Sequence, residues 1–580
     1  MPVWTGRAMT TSGGLGHLGG DDKRRPDEGP GTGGQLVEAG RDSPSEACPT
    51  VVPGERPAMG GQQAAVRGPA AGEGTASEEG ELQMLAQGGM LSLAGIVTNA
   101  VLTFAFFVAA GRLLGGRNAG ALFEGMAVLA ICTYAAMFGG DYGVLKLMPT
   151  VRRESARGEL RLVVAALVPP IVVGLVICVA LLTFRTEIAD AIVRRGNQLG
   201  TQHVLVVFAP FVPIAAMAQV AFAAMRTWSI RDMVLVQNIL LPVCRVALLL
   251  LVAQFRLTPS TAAVAWAAPL AVCAVVACAY LFSKCFRERR RVGSVPADGS
   301  TRTVALALWK FSGPRSLGGI FQILIAWLDV LLVGALASSS QSAAYAVASR
   351  YVITATFALN AIGIAIAPQL GRIFDRGDSK SAQLIYREST WWVMAVTWPA
   401  LLILVVYAPF MMHIFGRDYA AGIVSLQILG LAMLLNTGTG NNAVALLMGG
   451  GSRENLAVNA GALALNVSLN LVLIPRFGAA GAAVAWAASI VFTTLTTSLF
   501  LHRRTGLLPF GGGYVVVVFS AVVGYGMFAL GTRLVLGTGL GGTITGIAIG
   551  TAVFVALMVR FRSVLRLSDL RRLSLGSGAA

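Results

Sequence analysis

Charge is what this sequence has least of. Asp, Glu, Lys and Arg make up 13% of its 580 residues, about half their share in a soluble globular chain. Histidine is rarer still: His17, His203, His413 and His502 stand far apart and form no HxxxH pair. The seven cysteines contain no CxxC. Five of them (Cys132, Cys178, Cys244, Cys273 and Cys278) fall inside apolar runs, where a thiol behaves as a small hydrophobe. A metal centre and a disulfide framework are therefore not expected. No Walker A motif is present, which argues against ATP hydrolysis by this chain. The internal loops are too short to carry a catalytic domain, so an integral-membrane glycosyltransferase or ligase is disfavoured. Neither an enzyme activity nor a cofactor is expected.

What the chain has is apolar surface. Hydrophobic residues are 55% of it and the mean hydropathy is +0.70. A soluble fold cannot cover so much apolar area with so few charges, so lipid must cover it. From Gly88 on, runs of about 20 apolar residues recur, each long enough to cross ~30 Å of hydrocarbon as a helix. Fourteen are expected, at 88–110, 119–138, 162–184, 204–224, 233–253, 262–282, 316–337, 343–367, 390–410, 421–447, 456–474, 479–501, 514–531 and 540–559. The fold class is thus an all-α polytopic membrane protein. The stretch 1–87 is rich in Gly, Pro, Ser, Asp and Glu and reads as a disordered tail. It lacks a signal-peptide pattern, and Met59 and Met84 are alternative starts.

The formal charge of +17 is explained by topology. With the amino terminus inside, the loops on the cytoplasmic side and the final tail carry 26 Lys and Arg against 9 on the other side. That bias places both termini in the cytoplasm. The densest cluster, Lys284, Arg287, Arg289, Arg290, Arg291 and Arg302, reads as a topological anchor that touches anionic membrane lipid, and nucleic acid is not an expected partner.

The chain also repeats itself. The heptapeptide from Ala262 to Ala268, AAVAWAA, recurs from Ala482 to Ala488, 220 residues later, and Ser92–Ile96 (SLAGI) is echoed by Ser316–Ile320 (SLGGI), 224 residues later. Two matches at nearly one offset imply two six-helix lobes. Six is even, so the lobes share one orientation. The expected division is a tail to 87, a first lobe at 88–283, a basic linker at 284–305 and a second lobe at 306–503. An added helix pair follows at 504–560, and a basic tail at 561–580.

Several segments fall in the order found in one known superfamily. They are Ala110-Gly111-Arg112-Leu113-Leu114-Gly115 after the first helix and Phe138-Gly139-Gly140-Asp141-Tyr142-Gly143 after the second. Asp329 follows in the seventh helix, then a Y-x-x-A-x-R run from Tyr345 to Arg350, and the segment NLVLIPRFGAAGAA from Asn470 to Ala483. In these the chain resembles the multidrug/oligosaccharidyl-lipid/polysaccharide flippase superfamily, and within it the polysaccharide-unit (O-antigen type) flippases, over about 88–500. It departs from two sister groups. Peptidoglycan-precursor flippases typically carry charge in the first helix, and drug or cation antiporters often an acid there; 88–110 has neither. The resemblance implies alternating access and a cargo of polyprenyl-pyrophosphate-linked oligosaccharide, moved across the plasma membrane for surface polysaccharide. A polysaccharide polymerase and glycosyltransferases are further partners it suggests. A cation-coupled multidrug antiporter of the same fold is the alternative.

Ionisable groups inside the spans each need a reason, because burying one in a bilayer costs a few kcal/mol even on lenient scales. Counting from the helix ends, Arg245, Asp329 and Arg350 lie roughly 10–12 Å below the outer surface and Glu124 roughly 8 Å below it. Asp329 and Arg350 can form an ion pair between neighbouring helices, or face a wet cavity with the substrate. Arg245 can pair with Glu124 or cap a kink at Pro242. Arg315 either flanks the seventh helix on the cytoplasmic side, beside Lys310, or guards the inner mouth. The resemblance places helices 1, 2, 7 and 8 on the cavity wall, and with them Glu124, Asp329 and Arg350. Arginine suits a pyrophosphate because it binds oxyanions in a bidentate way and stays charged. Asn99, Thr98, Thr103, Asn360 and the run Asn436, Thr437, Thr439, Asn441, Asn442 can bind sugar hydroxyls or join helix to helix. Gly542, Gly546 and Gly550 suggest close packing of the last helix on a neighbour or another subunit. Prolines at 169, 170, 210, 213, 242, 269 and 399 mark expected bends.

Overall fold

The computed structural model describes residues 73–154, 156–292 and 301–562, and among these every regular element is helical. Thirteen helices are long and apolar enough to cross a bilayer. The first of them, Ala94–Met137, makes two crossings. Gly115 takes φ 73 and ψ 163, a conformation open in practice only to glycine, and the chain doubles back there. Phe107 and Phe123 would lie roughly 24 Å apart along a straight helix. Their ring centroids are 4.9 Å apart. The result is fourteen crossings, the number expected.

We number them α1 (94–114), α2 (116–137), α3 (Ala156–Thr183), α4 (Gln198–Phe208 with Phe211–Trp228), α5 (Ile230–Ala253), α6 (Pro259–Val292), α7 (Thr301–Leu336) and α8 (Ser339–Ala355 with Phe357–Asp375). The rest are α9 (Ser379–Val406), α10 (Arg417–Met448), α11 (Ser452–Phe477), α12 (Ala479–Thr505), α13 (Gly512–Leu536) and α14 (Leu540–Arg560). Of the expected tail, residues up to 72 lie outside the described residues, and from Glu73 the chain is already helical and runs into α1. The linker expected at 284–305 is largely helix: α6 continues to Val292 and α7 starts at Thr301. Residues 563–580, most of the expected basic tail, lie outside the description.

Proline explains only part of the bending. α4 is interrupted at Ala209-Pro210, but α3, α6 and α9 run through Pro169-Pro170, Pro269 and Pro399 without a break. Pro242 is absorbed by a π-helical segment, Val234–Leu240, in which Leu241 N reaches back five residues to Val236 O. The interruptions of α8 and α10 occur where no proline stands. α8 breaks at Thr356, and α10 breaks around Gly440 at φ 63, where Tyr386 Oη donates to the Thr439 carbonyl at 2.7 Å.

The lobes meet at the end of the bundle where α1 turns into α2. Arg194 N donates to Gly334 O at 3.3 Å, and Ser339 N to Arg195 O at 3.1 Å. Gly116 N donates to Asp418 Oδ2 at 3.2 Å, and Tyr419 Oη to Gly111 O at 3.0 Å. Gly120 allows the seam to close, since a Cβ there would overlap the Ser339 carbonyl. One apolar core runs through the first lobe and across this seam. At the opposite end the second lobe has a separate core around Ile366, Leu370, Tyr386, Leu446 and Leu501.

The last pair is fastened to α9. Tyr407 Oη donates to the Ala529 carbonyl at 2.9 Å and sits directly against Gly546. Arg533 Nη1 donates to Val406 O at 2.6 Å. Gly550 packs on Tyr525 and Gly524. The glycine stripe expected to meet a neighbour or another subunit is thus filled within the chain, by the tyrosine that ends α9 and by α13.

The seam is directly testable. A Cβ on Gly116 would lie 3.1 Å from Ser340 Oγ, within reach of a disulfide. In a chain stripped of its seven native cysteines, Gly116→Cys with Ser340→Cys is expected to cross-link on mild oxidation. Gly116→Cys paired with a cysteine at Gln383, at the other end of the bundle, is expected to give none. The readout is thiol accessibility before and after oxidation.

Candidate functional site

Arg350 is the centre of the candidate site. It lies eleven residues from Ser339, the start of α8, so roughly 16 Å into the membrane. That is deeper than the expected 10–12 Å, because α8 begins four residues earlier than its apolar run. The guanidinium carbon is 3.7 Å from the Trp327 ring centroid on α7 and 5.3 Å from that of Phe107 on α1. Its Nε and Nη2 are buried without a hydrogen-bond partner. It lines a cavity of about 120 Å³ between the lobes with Asn99, Thr103, Phe104, Phe107 and Thr354. Thr103 Oγ1 donates to Asn99 Oδ1 at 3.4 Å. Of the expected site residues, Arg350 and Asn99 share this cavity. Thr98 instead returns its hydroxyl to the Ala94 carbonyl at 2.9 Å.

The arrangement has clear chemical consequences. Aromatic faces stabilise a cation while leaving the edge of the guanidinium plane open. The open edge carries the N–H groups, and these fit two oxygens of one oxyanion. Helix α8 breaks at Thr356, less than two turns beyond Arg350, so the backbone there is irregular where it borders a cavity, as the bilayer requires.

Asp329 does not pair with Arg350, contrary to one of the two expected readings. It is 1% exposed and is held by neutral donors. Tyr345 Oη of α8 donates to Oδ2 at 2.6 Å, and Asn470 Nδ2 of α11 to Oδ1 at 2.7 Å. Asn470 Nδ2 also reaches Asn466 Oδ1 at 3.0 Å. The cluster ties three helices of the second lobe together. Tyr345 and Asn470 stood in the sequence segments that carried the resemblance, and the i, i+4 spacing of Asn466 and Asn470 was the signal for their shared face.

Arg245 neither meets Glu124 nor caps the Pro242 turn. Its Nε donates to the Trp266 carbonyl of α6 at 2.9 Å, and its guanidinium carbon lies 3.7 Å from the Trp266 ring centroid. Trp266 in turn packs on Phe106 at 4.9 Å between centroids. Glu124 is wholly buried in the seam. Its Oε2 accepts from Thr201 Oγ1 at 3.2 Å and from Ser339 Oγ at 3.4 Å. Neither Arg245 nor Glu124 lines the cavity of Arg350, so the four groups do not share one cavity. The side chain of Arg315 lies outside the described ones.

In the polar run of α10, Asn436, Thr437 and Asn442 serve packing, while Asn441 Nδ2 is buried without a partner. Asn442 Nδ2 donates to Ser498 Oγ at 3.0 Å and to the Thr494 carbonyl at 3.2 Å. Thr494 Oγ1 donates to Asn436 Oδ1 at 3.1 Å. Thr437 returns its hydroxyl to the Met433 carbonyl. These bonds hold α10 to α12 across the break. Trp327, Phe107 and Thr354, which complete the Arg350 site, were not legible in the sequence. An aromatic residue in a membrane span carries no mark that distinguishes a cavity wall from a lipid-facing or core position.

Residues 148–423 match the family described as "Polysaccharide biosynthesis protein". Over 198 residues, 33% of this chain, the sequence is 28% identical to a protein of Haloferax volcanii named as a probable low-salt glycan biosynthesis flippase, and the match spans 40% of that relative's length. The backbone is similar to that of the lipid II flippase MurJ in an inward closed conformation, with a TM-score of 0.64 and 10% identity over 82% of this chain and 100% of that one. It is also similar to an inward-facing multidrug resistance MATE family transporter of the MOP superfamily, with a TM-score of 0.60 and 14% identity over 72% of this chain and 98% of that one. The chain therefore has the fold of the multidrug/oligosaccharidyl-lipid/polysaccharide flippase superfamily, and its match to the polysaccharide biosynthesis proteins bears out the resemblance read from its sequence.

Proposed function

We propose that this protein moves a polyprenyl-pyrophosphate-linked oligosaccharide across the plasma membrane, from the cytoplasmic to the outer face, by alternating access of its two lobes. The observation that carries this reading is Arg350: a cation between aromatic walls, in a cavity between the lobes, with free N–H groups. The pyrophosphate is the part of such a cargo that hydrocarbon excludes most strongly, and a buried guanidinium is the side chain that best replaces its water. Asn99 and Thr103 supply hydrogen-bonding groups beside it. The glycan-flippase relative supports the cargo class.

The charge bias assigns the ends. The end carrying 26 Lys and Arg is cytoplasmic, so the seam of Glu124, Gly334 and Ser339 is the closed outer gate. In this state the Arg350 cavity lies on the cytoplasmic side of that gate. The hydrophobic prenyl chain stays in lipid while the head passes between the lobes. A polymerase that consumes the glycan on the outer face would make the cycle directional.

Arg350→Ala removes the oxyanion contact. Loss of a charge-assisted contact of about 1.5–3 kcal/mol corresponds to roughly a 10- to 100-fold fall in transport at limiting cargo. Lysine is not expected to rescue it, since it lacks the planar fork. The measurement is the sidedness of the lipid-linked intermediate in depleted cells complemented with each variant. An unchanged distribution with Arg350→Ala would remove this function for the residue.

Asp329→Ala separates the two readings of the fold. It leaves the Tyr345 hydroxyl and the Asn470 amide without their acceptor, at about 1–3 kcal/mol for each buried group. Thermal stability in detergent is expected to drop, and flux is expected to fall only in proportion to folded protein. A cation-coupled drug antiporter predicts a different pattern: cation-driven efflux abolished by Asp329→Ala or Glu124→Ala in folded protein, and indifferent to Arg350→Ala.

A further inference from the structure

The repeated heptapeptide places one tryptophan at the same position in each lobe. Trp266 is the eighth residue of α6 and Trp486 the eighth of α12. Their surroundings differ. The ring of Trp266 is covered by the Arg245 guanidinium and by Phe106. Trp486 has no ring or cation on it among the described residues, and its indole N–H makes no hydrogen bond to protein. It borders a second chamber of about 120 Å³, inside the second lobe and on the far side of α8 from the Arg350 cavity. Gln322, Tyr345, Ser349, Ile353 and Leu429 line the rest of it.

The chamber has a definite direction. Gln322 is fourteen residues from the end of α7, roughly 21 Å from the seam, and its side chain is exposed. An amide in mid-membrane with no protein partner cannot face hydrocarbon without a cost of several kcal/mol, so it faces water and marks the mouth. Trp486 lies seven residues from the start of α12, roughly 10 Å from the seam, and marks the inner end. Tyr345 roofs the chamber, with its hydroxyl committed to Asp329. Ile353 lines both this chamber and the Arg350 cavity, so one helix separates the two spaces.

We propose that this chamber is a carbohydrate subsite. Trp486 offers an apolar face to the C–H face of a sugar ring. The Gln322 amide offers a donor and an acceptor to its hydroxyls, and the Trp486 N–H a further donor. A half-buried indole that borders a chamber beside a neutral amide is the combination that an uncharged polyol needs. It suits neither an oxyanion, because no cation lines the chamber, nor a purely apolar drug. The proposal rests on the transport reading above and deepens it: the arginine cavity takes the phosphate, and the second lobe takes sugar and thereby selects the glycan.

The probe is the cell's own glycan, released by mild acid from the lipid-linked intermediate that accumulates when this protein is depleted. Its binding to the purified full-length protein is measured by calorimetry. Wild type and Arg350→Ala are both expected to bind, because the released glycan has no pyrophosphate. Trp486→Ala and Gln322→Ala are expected to weaken binding at least 10-fold, and Trp486→Phe to keep most of it. Gln322 is exposed, so its truncation leaves folding intact and keeps the test valid where Trp486→Ala disturbs packing. Binding that ignores both Trp486→Ala and Gln322→Ala, or no binding to wild type, removes the subsite and leaves the arginine reading standing. Failure of any lipid-linked intermediate to accumulate removes the transport reading and the subsite with it.

Discussion

Hydrocarbon offers no hydrogen bonds, and the arrangement of Asp329, Arg245 and Asn442 follows from that. A donor or acceptor within the membrane must find a partner in the protein or stand in water. Asp329 meets the requirement with Tyr345 and Asn470, and Arg245 meets it with the Trp266 carbonyl and ring. Asn442 meets it on α12. Arg350 does not meet it within the protein: two of its nitrogens are buried and without a partner. Its aromatic neighbours stabilise the charge but accept no N–H in the ring plane. Glu124 Oε1 in the seam is likewise buried without a partner, but Arg350 differs in lining a cavity between the lobes, and this is what the proposed cargo contact rests on.

The same constraint relates closure to motion. The seam joins backbone and polar side-chain hydrogen bonds to an apolar core that runs across it. The hydrogen bonds are exchanged for water at little net cost when the lobes part, whereas the apolar contacts resist parting and hold this end closed. The separate core at the opposite end of the second lobe lies beyond the breaks of α8 and α10, and those breaks are not at prolines. At Thr356 and Gly440 the regular ladder gives way to turn bonds, with Thr356 N on Val352 O at 3.2 Å and Gly440 N on Thr437 O at 3.0 Å. Fewer regular helical bonds oppose a change of angle at these two positions than elsewhere in α8 and α10.

The number of crossings, the two-lobe repeat and the general class were legible because each rests on something periodic or summed: apolar run length, a recurring heptapeptide, overall charge. Arg350 and Asn99 were legible as candidates because a polar group in a span is conspicuous. Which polar groups satisfy one another was not. Asp329 and Arg350 lie at similar computed depths, and depth along a helix says nothing of the direction a side chain takes around it. Asp329 turns toward Asn470 of α11 and Arg350 toward Phe107 of α1. The run from Asn436 to Asn442 left sugar binding and helix-to-helix bonding open for the same reason, and Asn436 and Asn442 take the second course, bonding across the break to α12.

The repeat sharpens the point. A duplicated six-helix unit begins with two equivalent cavities, and equivalent cavities hold equivalent ligands. Here the tryptophan of one copy is closed off by Arg245, while that of the other faces a chamber. Arg245, in closing one pocket, ties α5 to α6 through the carbonyl and the ring of Trp266. Leaving the other open keeps the second lobe adaptable, and it is the second lobe that carries two broken helices. On the proposed reading, the asymmetry of side chains on a symmetric scaffold divides the work: the first lobe closes its tryptophan off with Arg245, and the second keeps its own beside the chamber that would take sugar.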